Sequence, residues 1–319
     1  MRRLRSIIIW CFVLLISIAL SLFWDIGGLH DTLTRTILWQ VRVPKVAEAM
    51  LAGMGLTLAG QLFQILLNNP LADSFTLGLA SGATFGSGLA VAVGVSFIFI
   101  PIFSMTSSLL TLVLVLLLTR LITYGHPNRI LILAGIMIGA LFNAFLYIVV
   151  ILNETKTSNI VNYMFGGFSQ AEYTKVSYIG VVLILGITMV RLLLPQLKLL
   201  QLDDRHAISL GLKVKRVTYL TLIIASIITA VIVAYVGIIG FIGMVVPQLI
   251  RRFYTQSSLG FQIVLNLLVG GSVMVLADWL GTTVIYPVQI PASIILALFS
   301  IPVLFYLMIV SERSNRYRV

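Results

Sequence analysis

Very few side chains in this chain could carry chemistry. The three histidines, His30, His126 and His206, lie far apart, and no H-E-x-x-H helix or Cys/His cluster with metal-ligand spacing occurs. The dipeptide Gly-Lys is absent, so there is no Walker A loop to cradle the phosphates of a nucleotide. Only Glu48 and Asp278 place a carboxylate inside an apolar stretch, where an ionisable group marks a proton or ion relay. Lys45 precedes Glu48 by three residues, a spacing that pairs the two on one helix face. Asp278, near the end of its own apolar run, suits a hydrogen bond that packs helices or holds a loop. So small a supply of buried charge argues against an ion-coupled secondary carrier, the reading from a different functional class. The single cysteine, Cys11, excludes an intrachain disulfide.

The remaining composition explains why chemistry is scarce. The chain has 319 residues, 60% of them hydrophobic and 10% charged, with a mean hydropathy of +1.10. Soluble domains are about 45–50% apolar, so lipid must solvate this surface. The net charge of +11 does not point to nucleic acid, because the basic residues do not cluster on one face. Apolar runs punctuated by charge and proline predict helices at 7–23, 46–66, 76–95, 105–121, 130–152, 176–194, 217–235, 238–250, 259–280 and 292–310. The first resembles a signal peptide in form but lacks a good cleavage site, so an uncleaved helix is expected. Residues 217–250 are too few for two full crossings, which leaves either one kinked helix or two short ones joined near Gly237–Gly240. With ten spans and both termini cytosolic, sixteen of the 21 basic residues fall inside and five outside. This is an all-α integral membrane protein of about ten transmembrane helices.

Two segments break the apolar monotony. In LLNNPLADSFTLGLASGATFGSG, Pro70 is expected to end the second span and to set Asn68, Asn69 and Asp73 at the cytosolic mouth. Gly78, Gly82 and Gly86 then form overlapping G-x-x-x-G steps that allow close helix approach. Gly135 with Gly139, and Gly237, Gly240 and Gly243, repeat the theme. Most of these glycines suit ordinary packing, while some could flank a pathway or a moving joint. The longest inside segment, about 195–217, mixes charges with Ala207, Ile208, Leu210, Leu212 and Val214. Apolar residues in a water-exposed loop call for a covering partner.

Over nearly its whole length the chain resembles the permease subunits of bacterial ABC importers for iron–siderophore complexes, haem and vitamin B12, the FecCD-type permeases. The resemblance rests on ordered blocks: RVPKVAEAMLAGMGLTLAGQLFQILLNNPLAD, LGLASGATFG, LILAGIMIGALFNA, YMFGGFSQA, AISLGLKVKRV, VGIIGFIGMVVPQLIRR, LADWLG and VQIPASIILALFSIPVLFYLM. It implies a type II ABC importer permease architecture in which residues 1–319 form one transmembrane domain of the bacterial cytoplasmic membrane. It also implies a second permease copy or paralogue, two ATPase subunits that bind ATP and Mg, and an extracytoplasmic substrate-binding protein. No cofactor is expected in this chain. A ferric siderophore is the expected cargo, with haem or cobalamin as the alternative.

By position in the matched blocks, Arg42 and Lys45 are the implied docking cations for the binding protein. Arg205, His206, Ala207, Leu210, Gly211 and Leu212 are implied to contact the ATPase. Asn69, Pro70, Leu71 and Asn128 are implied for the cytosolic gate, and Gly78, Gly82, Gly86, Gly240, Gly243 and Pro247 for packing or the pathway. The last outer loop, GTTVIYPVQIP, lacks the arginine that the cobalamin importer carries there. Gln248 stands where a histidine commonly follows the proline.

Overall fold

The computed structural model of the protein describes residues 2–25, 31–122, 127–153, 165–202 and 204–316. Helices stand at each of the ten expected places: α1 (Arg2–Phe23), α3 (Val43–Leu66), α4 (Leu79–Val93), α5 (Ile100–Leu121), α6 (Pro127–Leu152), α7 (Tyr173–Leu199), α9 (Val214–Val236), α10 (Ile242–Phe253), α11 (Leu259–Thr283) and α12 (Ala292–Arg316). Two short helices, α2 (Thr32–Ile37) and α8 (Asp204–Ser209), complete the described set. Among the described residues, seven helical stretches are long and apolar enough to cross a membrane, and α4 and the apolar part of α12 are shorter. The open question at 217–250 resolves as two helices. The second, α10, has only 12 residues, a rise of about 18 Å against an apolar bilayer core of about 30 Å. It crosses only part of the bilayer.

The second span starts earlier than its sequence suggests. Asp31 caps α2 by accepting a hydrogen bond from the Leu33 N–H at 3.2 Å, and a π-helical turn, Leu38–Arg42, joins α2 to α3 without a break. Within that turn the Val43 N–H reaches back to the Leu38 carbonyl. The wider turn directly precedes Pro44, which has no N–H to continue an ordinary ladder. Pro44, two residues before the expected start of the second span, therefore sits inside a longer helix.

α3 is the axis of the molecule. It is buried on nearly every side and packs against α7, α9, α10 and α11. α4, α5 and α6 form a second group that joins the first through α9, while α1 covers α11 from the rim, with Trp24 edge-on to Trp279 at 5.4 Å. Glycine sets how closely these helices approach. A β-carbon on Gly53 would overlap the Gly270 carbonyl of α11, and one on Gly60 would overlap the Gly243 carbonyl of α10. Gly82 and Gly86 lie equally tight against Thr111, Ser107 and Phe103 of α5. The two G-x-x-x-G patterns also meet each other: Gly78 sits on the backbone of Gly135 and Gly139 in α6. At Gly240, by contrast, a β-carbon would meet nothing within 4 Å, so the packing expectation does not hold there.

A polar row runs down one face of α3, at Thr57, Gln61 and Gln64. The Thr57 hydroxyl donates to the Asn266 carbonyl at 2.9 Å, and Asn266 Nδ2 donates to Gln61 Oε1 at 2.7 Å. Gln64 Nε2 donates to the Met244 carbonyl at 2.9 Å, and Arg251 donates to Gln64 Oε1 at 3.2 Å. The i, i+4, i+7 spacing puts all three on one stripe, which ties α3 to both α10 and α11.

Two outcomes test this packing. Gly60→Ala is expected to overpack the α3–α10 crossing by about 1–3 kcal/mol and to lower the melting temperature of the detergent-solubilised protein, whereas Gly240→Ala should leave it unchanged. A double-mutant cycle on Gln61→Leu and Asn266→Leu should give a coupling of about 0.6–1.7 kcal/mol, the range for hydrogen bonds between membrane helices.

Candidate functional site

Four places along the bundle hold side chains that could act. The first is the turn after α3. Asn68 takes the left-handed conformation, with φ +43°. Its N–H donates to the Ile65 carbonyl at 3.4 Å, and the Asn69 N–H donates to the Gln64 carbonyl at 3.3 Å. This is the paired arrangement that closes a helix C-terminus, so Asn68 ends α3 and the exposed Pro70 lies two residues beyond. That corrects the expectation that Pro70 ends the span. Asn69 Oδ1 accepts from the Leu71 N–H at 2.9 Å. Asp73 is buried, and its Oδ1 accepts from the N–H groups of Phe75 at 3.0 Å and Thr76 at 2.8 Å. Thr76 Oγ1 accepts from the Asp73 N–H at 2.9 Å. The reciprocal pair fixes the turn that delivers Gly78, at φ +71°, onto α6. Leu71 stays partly exposed. Asn128 falls in the first turn of α6, and its side chain lies outside the described residues.

The second place is the break between α9 and α10. Gly237 at φ +84° and Phe241 at φ +68° bracket it, and the N–H groups of Met244 and Val245 turn back to the Phe241 carbonyl. The segment after α6 docks here: the Gly167 N–H donates to the Val236 carbonyl at 2.8 Å, Gly166 lies against Ile238, and the Ser293 hydroxyl of α12 donates to the Phe165 carbonyl. A cavity of about 190 Å³ lies between the turn and the break. Asp73 and Phe75 from the turn line it, with Gly240, Phe241 and Met244 from the break and Phe165 across from them. Two interruptions about 170 residues apart in sequence thus share one largely apolar chamber. Irregular backbone at membrane depth is tolerated where protein buries it or where it lines a cavity. Gly240 belongs to this chamber, whereas Gly243, one turn further along α10, is packed on α3. Pro247 is buried within α10.

The third place is the outer end of α3. Lys45 Nζ lies 3.2 Å from Asp278 Oδ2 of α11, so the sequence-based pairing of Lys45 with Glu48 is replaced by a bridge between helices. Glu48 is buried, and the charges around it are Lys175, Glu172 and Asp278. Lys175 donates to the Gln170 carbonyl. Lys45, Glu48 and Asp278 border a cavity of about 250 Å³ that Thr282 and Gln289 also line. Arg42 turns inward as well. Its guanidinium donates to the carbonyls of Leu22 at 2.9 Å and Trp24 at 2.6 Å, and more weakly to Asp25 at 3.4 Å. A cation on the terminal carbonyls of α1 is the favourable end of the helix dipole. Both implied docking cations are therefore engaged within the chain.

At the opposite end α8 shows why the pattern A-x-x-L-G has its residues. The Gly211 N–H donates to the Ile208 carbonyl at 2.9 Å, and the Leu212 N–H donates to the Ala207 carbonyl at 3.1 Å. That is the Schellman closure, with Gly211 at the left-handed position, φ +83°. Ala207 is fully buried, while Ile208 and Leu210 are 60% and 61% exposed. His206 is exposed, and the Arg205 side chain lies outside the described residues. The motif is a short, rigidly closed knob with apolar tips. Sequence reasoning missed the shared chamber and the Thr57/Gln61/Gln64 stripe; the stripe's i, i+4, i+7 spacing was the available signal.

The comparisons with known proteins agree with this architecture. The model of the FecCD transport family matches residues 4–310. The chain belongs to the FecCD transport family. It is 31% identical to the "Uncharacterized ABC transporter permease protein YvrB" of Bacillus subtilis (strain 168), over 92% of this chain and 86% of that one. It is 29% identical to the "Probable heme-iron transport system permease protein IsdF" of Staphylococcus aureus (strain Newman), over 86% of this chain and 83% of that one. A solved structure of a metal-chelate type ABC transporter in an inward-facing conformation superposes with a TM-score of 0.85 at 27% identity, covering 95% of this chain and 98% of that one. PsaBC from Streptococcus pneumoniae shares the fold, with a TM-score of 0.65 at 16% identity, over 86% of this chain and 92% of that one. This FecCD chain is thus a multi-pass permease of the cytoplasmic membrane.

Two substitutions probe the site. Lys45→Ala should cost about 3–5 kcal/mol, because it strands Asp278 in a buried position, and Lys45→Ala with Asp278→Ala should recover much of that in thermal unfolding. Gly211→Ala meets no steric obstacle, so only its backbone conformation is penalised, by about 1–2 kcal/mol. It should weaken partner-stimulated transport while the bundle keeps its melting temperature.

Proposed function

We propose that this chain is the permease subunit of an ATP-driven importer of ferric chelates, with a ferric siderophore as cargo. The observation that carries this reading is the chamber shared by two interrupted helices, walled by Phe75, Phe165, Phe241 and Met244, inside a FecCD-family bundle. Its walls bear little charge, which suits passage of a bulky chelate without trapping it. In this reading the metal crosses inside its chelator. A haem chelate is the second reading, favoured by the name of the Staphylococcus aureus relative.

In this mechanism a binding protein delivers the chelate to the outer face, and a second permease completes the pathway. Two ATPase subunits bind ATP and Mg and engage α8, with no cofactor held by this chain. The exposed tips Ile208 and Leu210 seat in the ATPase, and the Schellman closure makes α8 stiff enough to transmit movement. α8 leads directly into α9, whose far end is the break at the chamber. Leu71, Asn69 and Asn128 contribute to the inner gate. Arg42 and Lys45 serve docking by holding the outer ends of α1, α3 and α11 in register, since their charges are already engaged.

The test is uptake of radiolabelled iron chelate into vesicles carrying the permease, its ATPase and its binding protein. Uptake is expected only with ATP. Uptake driven by a proton gradient with an inactive ATPase would overturn the proposal. In the same assay Leu71→Ala should leave ATP hydrolysis running while net uptake falls, as an open inner gate requires.

A further inference from the structure

A groove opens between the ends of α7 and α9 on the side of the bundle where α8 lies. Its volume is about 520 Å³, and apart from Gly211 and Leu212 at its border none of its lining residues has a role above. Leu193 and Gln196 of α7 line one wall, with Lys213, Arg216, Val217 and Leu220 forming the other. Lys213, Arg216 and Leu220 fall at i, i+3 and i+7, so they share one face at the start of α9. Both cations are exposed, and among the described residues neither has an acidic partner. The neighbouring Arg120 is held differently, by the Tyr219 hydroxyl and over its ring at 5.9 Å.

The groove is amphiphilic along its length. At the lip stand two exposed positive charges, joined by the first-turn amides of α9, which no side chain caps. Below them the wall becomes apolar and runs into exposed faces of both helices: Met189 and Leu192 on α7, Leu220 and Ile223 on α9. A soluble acidic partner would match the lip but leave the lower wall facing hydrocarbon. A neutral lipid would match the wall but leave the cations unpaired. From this geometry we infer that the groove holds one anionic glycerophospholipid, with its phosphate between Lys213 and Arg216 and an acyl chain along Leu193, Val217 and Leu220. Basic pockets between helices at the cytoplasmic surface bind lipid head groups by this charge and depth matching. Gly211 and Leu212, which close α8, also border the groove. The lipid would therefore brace the root of the coupling helix.

Native mass spectrometry of the purified full chain, incubated with equal amounts of phosphatidylglycerol and phosphatidylcholine, tests this. One phosphatidylglycerol per chain is expected to be retained in preference to phosphatidylcholine. Lys213→Ala or Arg216→Ala should each weaken retention about fivefold and the pair about thirtyfold, at the strength of one basic side chain near an anionic surface. Lys215→Ala with Arg252→Ala, which alters charges outside the groove, should retain lipid as the parent does. Unfolding curves for all variants establish that the exposed substitutions leave the bundle intact. Four results would overturn the inference: no preference for the anionic lipid, equal loss in the control pair, displacement by excess inorganic phosphate, or release of the lipid when the ATPase assembles. The third would make the groove a free-anion site, and the fourth would assign it to the ATPase.

Discussion

α3 touches its neighbours at two levels with no side chain between the backbones, at Gly53 against Gly270 and at Gly60 against Gly243. In lipid there is no hydrophobic drive between helices, so van der Waals contact and interhelical hydrogen bonds must hold them. Close approach supplies the first, and the stripe Thr57, Gln61 and Gln64 supplies the second on the same helix. The shortness of α10 depends on this arrangement. A 12-residue helix that begins inside the bundle has a free N-terminal end, and packing on α3 holds that end in place. The position of the break, and hence of the chamber, follows from where Gly60 admits Gly243.

Both interruptions solve one problem in different ways. A chain that leaves helical geometry at membrane depth exposes N–H and C=O groups that hydrocarbon cannot satisfy. After α3 the solution is local: Asn68 closes the helix, and Asp73 and Thr76 bind one another's backbone groups. After α9 the solution is borrowed from elsewhere, because Gly167 supplies the donor for Val236 from a segment roughly 70 residues away in sequence. The first interruption is self-contained and the second depends on a distant loop. A movement of the α6–α7 segment therefore bears directly on the chamber wall in the FecCD bundle.

Charge is treated oppositely at the two ends. At the outer end Arg42 and Lys45 are engaged by carbonyls and by Asp278, and the exposed surface of the nearby loop is formed by Val284, Ile285, Tyr286 and Val288. At the α8 end Lys213 and Arg216 are exposed, with no acidic partner among the described residues. Water and anionic head groups solvate cations at the latter end at little cost, whereas a lysine among packed helix ends requires a counter-charge. Asp278 is that counter-charge, which explains why a carboxylate persists in an otherwise apolar span.

Much of this was legible from residue order. Ten apolar segments, their boundaries within a few residues, the small-residue patterns and the family itself follow from periodicity and motif, because solvation by lipid forces helices of defined length. The closing glycine of A-x-x-L-G was also readable, since only a left-handed position needs glycine there. Partner choice was not legible. Lys45 is three residues from Glu48 and far in sequence from Asp278, yet helix crossing at Gly53 and Gly270 brings Lys45 to the latter. The extension of α3 through Pro44 was hidden too, because a π turn is a response to the missing N–H rather than a sequence signal. Local order determined which segments are helices and where they can touch closely. Tertiary structure alone decided which polar groups meet, because those meetings depend on the depth at which two helices cross.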